Sequence, residues 1–359
     1  MGSNSKDKVI VGMSGGIDSS VTAALLVKRG YQVTGVTMKI WAGEALGAKG
    51  KHGCYGPEEE RDIEDARKVA LGLNIPFHVI NLAEEYREVV LDYFCREYLE
   101  GRTPNPCVRC NRSVKFGSLV KKSAELGIDF DYFATGHYAR VCKDNLPGRY
   151  FLKKGKDNKK DQSYFLYDLS QEQLSRVLFP LGSYLKTEVR SMSVDFGLDL
   201  EDREESQNFV CGNYSTLFKK KPGPGPIVDQ RGRVLGEHNG IINYTTGQRK
   251  GLGIGSKQPL FVIDIRPESN TVVVGPQECL LTGEQAVSQL NWVSIEGLDG
   301  AMEVKARIRS SHQGYAAVIS PLKDNEVSVK YAERQIGAAR GQAIVFYAGD
   351  VVLAGGIVK

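Results

Sequence analysis

The chain opens with a short apolar run, Val9-Ile10-Val11, that breaks into Gly12-Met13-Ser14-Gly15-Gly16 and gives way to an amphipathic stretch from Asp18 to about Arg29. That order predicts a strand, a glycine turn and a helix. The alternation continues to residue 141. Residues 31–40 are β-branched and mostly alternating, a second strand, and residues 41–57 form a glycine-rich loop. Over residues 58–73, Ile63, Ala66, Ala70 and Leu73 keep a helical period, with Arg67 and Lys68 late in the helix. Residues 75–82 read as a buried strand, and residues 84–99 as a helix with Tyr86, Val90 and Phe94 on one face. Residues 113–126 read as a helix stopped by Gly127, and residues 131–141 as a strand with its end near Thr135-Gly136-His137. Strands alternating with helices predict an α/β fold with a doubly wound parallel sheet and ligands at the carboxyl ends of the strands, where Ser14, Met38 and Gly136 all fall.

The pattern then changes. A basic run at residues 153–160 reads as a solvated turn, and the helix-rich stretch 161–197 carries a capping box at Ser170 and Gln173. Lys219-Lys220-Lys221-Pro222-Gly223-Pro224-Gly225-Pro226 cannot continue a helix and marks a boundary. Residues 227–237 predict a hairpin around Gln230-Arg231-Gly232, and residues 247–255 a basic glycine loop. From residue 259 short β-like runs dominate, at 260–265, 271–274, 303–309, 316–320, 326–331, 343–347 and 351–358, as in a small all-β barrel. The expected division is residues 1–204, a small central domain over residues 205–275, and a C-terminal β-barrel over residues 276–359.

Composition adds boundaries. With 41% hydrophobic and 25% charged residues the chain reads as soluble and globular, and a net charge of +4 permits a nucleic-acid partner without demanding one. No run of about 18 apolar residues is present, so no membrane partner is expected. The first five residues lack the pattern of a signal or transit peptide and read as a short disordered lead. Seven cysteines, an odd number in a long chain, argue against a secreted disulfide framework and for the cytoplasm.

Two stretches carry chemistry. The turn at residues 12–19 can aim backbone N–H groups and the start of a helix at a phosphate. It matches neither of the commonest glycine-rich nucleotide fingerprints. The second stretch is Thr103-Pro104-Asn105-Pro106-Cys107-Val108-Arg109-Cys110-Asn111-Arg112-Ser113. Cys110 stands three residues before the expected helix start, with Arg109 and Arg112 beside it, which favours a reactive thiolate. The alternative is half of a structural zinc site completed by His52 and Cys54. Cys95, Cys142 and Cys279 read as packing residues, and Cys211 is unremarkable by itself.

Ser14-Gly15-Gly16-Ile17-Asp18-Ser19-Ser20 resembles the pyrophosphate loop of ATP pyrophosphatases that activate substrates as adenylates. Further motifs follow in order: Met38-Lys39-Ile40-Trp41, Asn105-Pro106 with Cys110-Asn111 and Lys115-Phe116, Ala134-Thr135-Gly136-His137-Tyr138, Lys160-Asp161-Gln162-Ser163-Tyr164, Cys211, and Tyr244-Thr245-Thr246-Gly247-Gln248-Arg249-Lys250. Together they resemble the bacterial tRNA-specific 2-thiouridylases from residue 8 to the end. The resemblance implies an adenine nucleotide alpha hydrolase-like fold and a monomer. It also implies ATP, with magnesium, at Gly12, Met13, Ser14, Gly15, Gly16, Ile17, Asp18, Ser19, Met38 and Gly136. It implies a persulfide on Cys211 with Cys110 as partner thiol, a Cys110–Cys211 disulfide left after transfer, and a mobile loop that carries Cys211 in. The persulfide would come from a sulfur carrier or cysteine desulfurase system. It implies contact with the tRNA anticodon stem-loop through Asn105, Pro106, Cys107, His137, Lys160, Asp161, Gln162, Arg307, Ile308, Arg309 and Gln342. Many members have Asp where this chain has Cys107; with Cys107, Cys110 and Cys211 the alternative is a [4Fe-4S] cluster, as in some related tRNA thiolases. Competing readings are a small-molecule adenylating synthetase and a zinc-bearing tRNA-binding module.

Overall fold

The computed structural model describes residues 7–43, 53–143, 148–198, 208–211 and 214–359. Contacts along the chain divide it into two units, Met1–Val90 with Cys107–Asn213 and Asp350–Val352, and Leu91–Pro106 with Tyr214–Gly349 and Leu353–Lys359.

In chain order the first half contains β1 (Lys8–Gly12), α1 (Ile17–Lys28), β2 (Gln32–Lys39), β3 (Gly53–Tyr55), α2 (Glu59–Gly72) and β4 (Phe77–Asn81). A helical run follows, α3 (Ala83–Tyr86), a π-helical turn (Arg87–Leu91) and α4 (Asp92–Leu99). A second run comprises α5 (Pro106–Arg109), a π-helical stretch (Cys110–Ser118) and α6 (Leu119–Glu125). Then come β5 (Tyr132–Thr135), β6 (Ala139–Lys143), β7 (Tyr150–Lys154), α7 (Gln171–Ser175), β8 (Val177–Leu178), α8 (Lys186–Asp195) and β9 (Asn208–Val210).

The main sheet of the first unit has the order β4-β2-β1-β5-β8, every pair parallel. The chain order reverses between β1 and β5, the place where open α/β sheets bind ligands. Val9, Val11 and Met13 of β1 and its turn pack with Ala23, Leu26, Ala66, Val69 and Ala70 in one core. Each fully buried Val or Leu there contributes about 1.5–3 kcal/mol. Two expectations change. The strand expected over residues 131–141 is two strands, because the chain turns at residues 136–138 and β6 pairs antiparallel with β7. The helix expected at Ser113 begins at Pro106, a residue suited to the first helical position because its missing N–H would have no partner there.

A small parallel ribbon, unforeseen in the sequence, joins β3 to β9 with Gly53 opposite Asn208 and Tyr55 opposite Val210.

The second unit holds β10 (Gly225–Val228), β11 (Val234–His238), β12 (Phe261–Arg266) and β13 (Thr271–Gly275) in a sheet ordered β11-β10-β13-β12. The expected hairpin is β10–β11. The runs at 260–265 and 271–274 join this hairpin, since β13 pairs with β10 and β12 with β13. Ile227, Ile241, Val262, Val272 and Val274 form its core. The rest is a six-stranded barrel of β14 (Leu281–Trp292), β15 (Met302–Arg307), β16 (Tyr315–Pro321), β17 (Val327–Ile336), β18 (Ala343–Ala348) and β19 (Val351–Val358). Its order is β14-β17-β16-β15-β18-β19, closed by β14 on β19. Among the described residues no helix is long and apolar enough to cross a membrane.

Candidate active site

The glycine loop closes on itself. The Ser14 N–H donates to Ser19 Oγ at 3.1 Å, the two hydroxyls stand 3.3 Å apart, and Ser19 Oγ donates to the Gly16 carbonyl at 3.0 Å. Gly16 is the N-cap of α1 and no side chain caps it, so the first amides of α1 are left for a ligand. Gly15 has φ +75°, and a Cβ there would collide with the Asp62 carbonyl. At the end of β5, a Cβ on Gly136 would lie 2.8 Å from the Asp18 carbonyl carbon. Only glycine therefore lets the start of α1 approach both neighbours. A bare helix start, two serine hydroxyls and an unobstructed Gly16 fit the phosphates of ATP. Gly12 ends β1, Ile17 is half-buried, and Met38 sits near the end of β2. Met13 is 2% exposed and donates its N–H to the Val36 carbonyl, so its side chain serves the core.

Asp18 is not open to solvent cations alone. Its Oδ1 and Oδ2 accept from Lys186 Nζ at 2.7 and 2.8 Å, and Oδ1 also accepts from the Tyr138 hydroxyl at 2.8 Å. The cation beside Asp18 in this structure is a lysine from α8. Tyr138 is in turn braced by Gln162, whose Oε1 accepts the Tyr138 N–H and whose N–H donates to the Tyr138 carbonyl, both at 2.9 Å. Asp161 is 9% exposed and accepts from the amides of Gly155 and Ser163 and from the Ser163 hydroxyl. These two side chains hold their own loop, with half-buried Lys160 preceding them.

The thiols lie on the second helical run. Asn111 Nδ2 donates to the Phe165 carbonyl at 3.0 Å, Arg112 pairs with Asp168, and Gln173 Nε2 donates to the carbonyls of Arg112 and Phe116 at 2.8 and 3.0 Å. Gln173 thus satisfies carbonyls inside the π-helical stretch that Cys110 begins. Its own position is set by the expected capping box, with Ser170 Oγ accepting from the Gln173 amide and Gln173 Oε1 from the Ser170 amide. Because the helix starts at Pro106, Cys110 stands within the helical run rather than ahead of it. Its expected activation by the helix start is lost. Burial pushes the Cys110 thiol up to about 11, opposed by Lys115 and reinforced by Cys54. Cys107 is pushed up to about 12 by burial and by Cys54 and Cys110. Resting Cys110 is therefore a thiol at neutral pH.

Cys211 is held by its main chain, the N–H donating to the Tyr55 carbonyl at 3.0 Å, and a Cβ on Gly53 would come 2.6 Å from that same nitrogen. The ribbon docks Cys211 on the strand bearing Cys54. All seven cysteines are free thiols, so the Cys110–Cys211 disulfide is no bond of this state: one partner is a half-buried, protonated thiol and the other is anchored to Tyr55. Among the described residues no group of three or more His, Cys, Asp or Glu is placed to hold a metal ion, so the thiols as positioned do not form a cluster's ligand set. His52, the sequence's further zinc candidate, lies outside the described residues. Cys95 keeps its packing role, half-buried with burial raising its thiol to about 11. Cys279, expected to pack, is exposed in the turn after β13.

Half-buried His137 is kept neutral by burial and by Lys115, and its Nδ1 stands 2.7 Å from the Thr135 hydroxyl between the rings of Phe116 and Phe179. Asn105 is half-buried and Pro106 buried. In the second unit Arg307 is 6% exposed with its guanidinium over the Tyr347 ring, and Ile308 is 4% exposed. Arg309 is exposed, and Gln342 is half-buried with its carbonyl accepting from Val358. The sequence reasoning missed Lys186 as a site residue, and named Tyr138 only within a motif and Cys54 only as a zinc candidate. For Lys186 a signal existed: a lysine at a helix start opposes the helix dipole and needs an anion.

Residues 7–212 match the family described as the tRNA methyl transferase HUP domain, residues 216–276 the tRNA methyl transferase PRC-barrel domain, and residues 283–358 the aminomethyltransferase beta-barrel domain. The chain is 46% identical over 355 residues to the tRNA-specific 2-thiouridylase MnmA of Endomicrobium trichonymphae, covering 98% of each chain. It is 47% identical over 368 residues to tRNA-specific 2-thiouridylase MnmA 1 of Caldanaerobacter subterraneus subsp. tengcongensis, again covering 98% of each. Among solved structures, a 4-thiouridine synthetase–RNA complex with bound ATP aligns over 53% of this chain and 41% of that one, at 20% identity and a TM-score of 0.35, a likeness too slight to argue from.

Proposed function

The chain belongs to the tRNA-specific 2-thiouridylases, and from that membership we propose that it replaces O2 of the wobble uridine of tRNA by sulfur carried on Cys211, after activation by ATP. The observation that carries the reading is that one folding unit holds both an uncapped serine-glycine phosphate loop and a pair of cysteines on a pinned helix, with Cys211 docked on a neighbouring ribbon.

The loop's amides and Ser14 and Ser19 bind the phosphates, and magnesium, when bound, would offset the phosphate charge that faces Asp18. The backbones of Met38 and Gly136 line the nucleoside. Uridine O2 attacks the α-phosphorus, an O–P bond forms, and the electrons of the broken α–β bond leave on pyrophosphate. The terminal sulfur of a Cys211 persulfide then attacks C2 and AMP departs. Cys110, once ionised, attacks Cys211 Sγ, so that the sulfur–sulfur bond breaks, its electron pair stays with the sulfur on C2, and a Cys110–Cys211 disulfide forms. An external dithiol reduces it. Because burial holds Cys110 protonated, Lys115 is the group placed to favour its thiolate. Cys107 cannot supply a carboxylate, so it acts as a neutral neighbour of the base. Asn105, Pro106, His137, Lys160 and Gln342 remain the proposed tRNA contacts. Asp161, Gln162, Arg307 and Ile308 support them from within, as their burial or bonding befits.

Mass analysis of nucleosides after incubation with tRNA, ATP and a persulfide donor tests this. Thiouridine at the wobble position is expected. Pyrophosphate release with no thiolated nucleoside in any tRNA would sink it.

A further inference from the structure

Sulfur transfer asks Cys110 to ionise in surroundings whose burial disfavours the charge. One buried hydroxyl stands beside it with no part in the chemistry so far. Tyr86 is the last residue of α3 and directly precedes the π-helical turn Arg87–Leu91, a distortion often found at functional sites. Its residue is 2% exposed. Two contacts fix where it lies. Helix α3 packs against the π-helical stretch that Cys110 begins. The Tyr86 ring also lies against that of Tyr55, with centroids 5.5 Å apart and planes 11° from parallel. Tyr55 belongs to β3, and its carbonyl accepts the Cys211 N–H at 3.0 Å. The tyrosine is thus wedged between the element that bears Cys110 and the strand that anchors Cys211. A buried tyrosine hydroxyl ordinarily needs a hydrogen-bond partner, and the groups this one faces are thiols. Burial keeps it from ionising, and the charges that Cys110, Cys54 and Cys107 would carry add to that in this order. It therefore stays an O–H donor through the range in which exposed thiols ionise.

We propose that Tyr86 is a catalytic residue of sulfur transfer, its hydroxyl donating a hydrogen bond to the Cys110 sulfur once that sulfur carries a charge. Tyr55 is a positioning residue in this arrangement, since its ring holds that of Tyr86. No proton leaves the hydroxyl, and no covalent bond to it forms or breaks. A hydrogen bond to an ionised sulfur is stronger than one to a thiol, so the donor favours the attacking form. Lys115 supplies a charge to the same end, and Tyr86 a neutral dipole that costs less to bury. The proposal rests on the reading of Cys110 and Cys211 as the sulfur-transfer pair.

Tyr86→Phe keeps the ring and the stack on Tyr55 and removes only the donor. In the full chain it is expected to slow thiouridine formation by about tenfold or more, the worth of a hydrogen bond to a charged group, with tRNA-dependent pyrophosphate release within about twofold. Alkylation by iodoacetamide, followed by peptide mass mapping, reads the thiolate directly. Cys110 should react about tenfold more slowly at a given pH in the variant, while exposed Cys279 reacts at the same rate in both chains. Unchanged Cys110 alkylation in Tyr86→Phe overturns the proposal. So does an equal loss of thiolation and pyrophosphate release, which would mark a structural role in the whole unit. Thiolation that survives Cys110→Ser overturns instead the reading of the sulfur pair beneath it.

Discussion

The phosphate loop and the thiol site are built on opposite plans within the same unit. Residues 12–19 are contiguous, and their hydrogen bonds run between neighbours such as Ser14, Gly16 and Ser19. The thiol site draws on Cys54, on Cys107 and Cys110, on Tyr86, whose hydroxyl feels those three thiols, and on Cys211, four segments brought together by tertiary pairing. Local construction makes the loop tolerant of changes elsewhere but leaves no room for a side chain at Gly15. Long-range construction makes the thiols sensitive to anchors that never touch sulfur. Adenylation and sulfur transfer should therefore fail separately.

The largest effect should come from Gly15→Ala, where a positive φ and a collision with the Asp62 carbonyl combine. A loss of about 3 kcal/mol or more is expected, read as a lowered unfolding midpoint with ATP binding gone. Retained ATP affinity would show that the loop is less locally determined than the contrast requires. Next, Cys110→Ser should abolish thiolation and leave tRNA-dependent pyrophosphate release within about twofold. Loss of both activities together would erase the separation of the two regions. Gly53→Ala reaches the thiols through the ribbon, since its Cβ would press on the Cys211 nitrogen at 2.6 Å. About 1–3 kcal/mol of strain should open β3 from β9, lowering thiolation while ATP binding stays unchanged in calorimetry.

The smallest effect is a pH profile. A thiol held at about 11 rather than its ordinary 9.0 stays protonated through the interval where a solvent thiol ionises. Alkylation of Cys110 by iodoacetamide, followed by peptide mass mapping, should therefore rise about tenfold per pH unit towards pH 11 and run behind exposed Cys54. The linked stability has the same sign. It is whole below about pH 9 and lost as the pH climbs towards 11. A plateau near pH 8 would place Cys110 in the polar environment that the sequence suggests.

The contrast in construction also explains what the sequence could say. The first helix, expected from Asp18 to Arg29, spans Ile17–Lys28, because a glycine turn and a helix start are local signals. The Ser170–Gln173 capping box is present atom for atom, and the last strand spans Val351–Val358 as its apolar run suggests. The ribbon was illegible, since two three-residue strands far apart in sequence leave no period to read. The early helix start went unread because Ser113 reads as the helix start, although Pro106 suits the first helical position. The twelve-residue β14 was missed because its pattern breaks at Gln289, where φ is +52° and the pairing with β19 shifts register. Of the site, the loop and the cysteines were visible as residue types, but not their partners. Lys186 meets Asp18 only in the folded chain.

The interleaving of the two units reaches back to how the polypeptide is made. The aromatic residues of α4, Phe94 and Tyr98, find their ring partners in Tyr214 and Phe218. At the usual pace of synthesis, about 5–20 residues per second, those partners leave the ribosome some ten seconds later. During that interval an apolar helix face lacks its cover while the glycine loop upstream already has all the residues it needs to close. Synthesis thus exposes the newborn chain to aggregation at α4 rather than at the nucleotide site, and α4 is where a holding chaperone would first be useful.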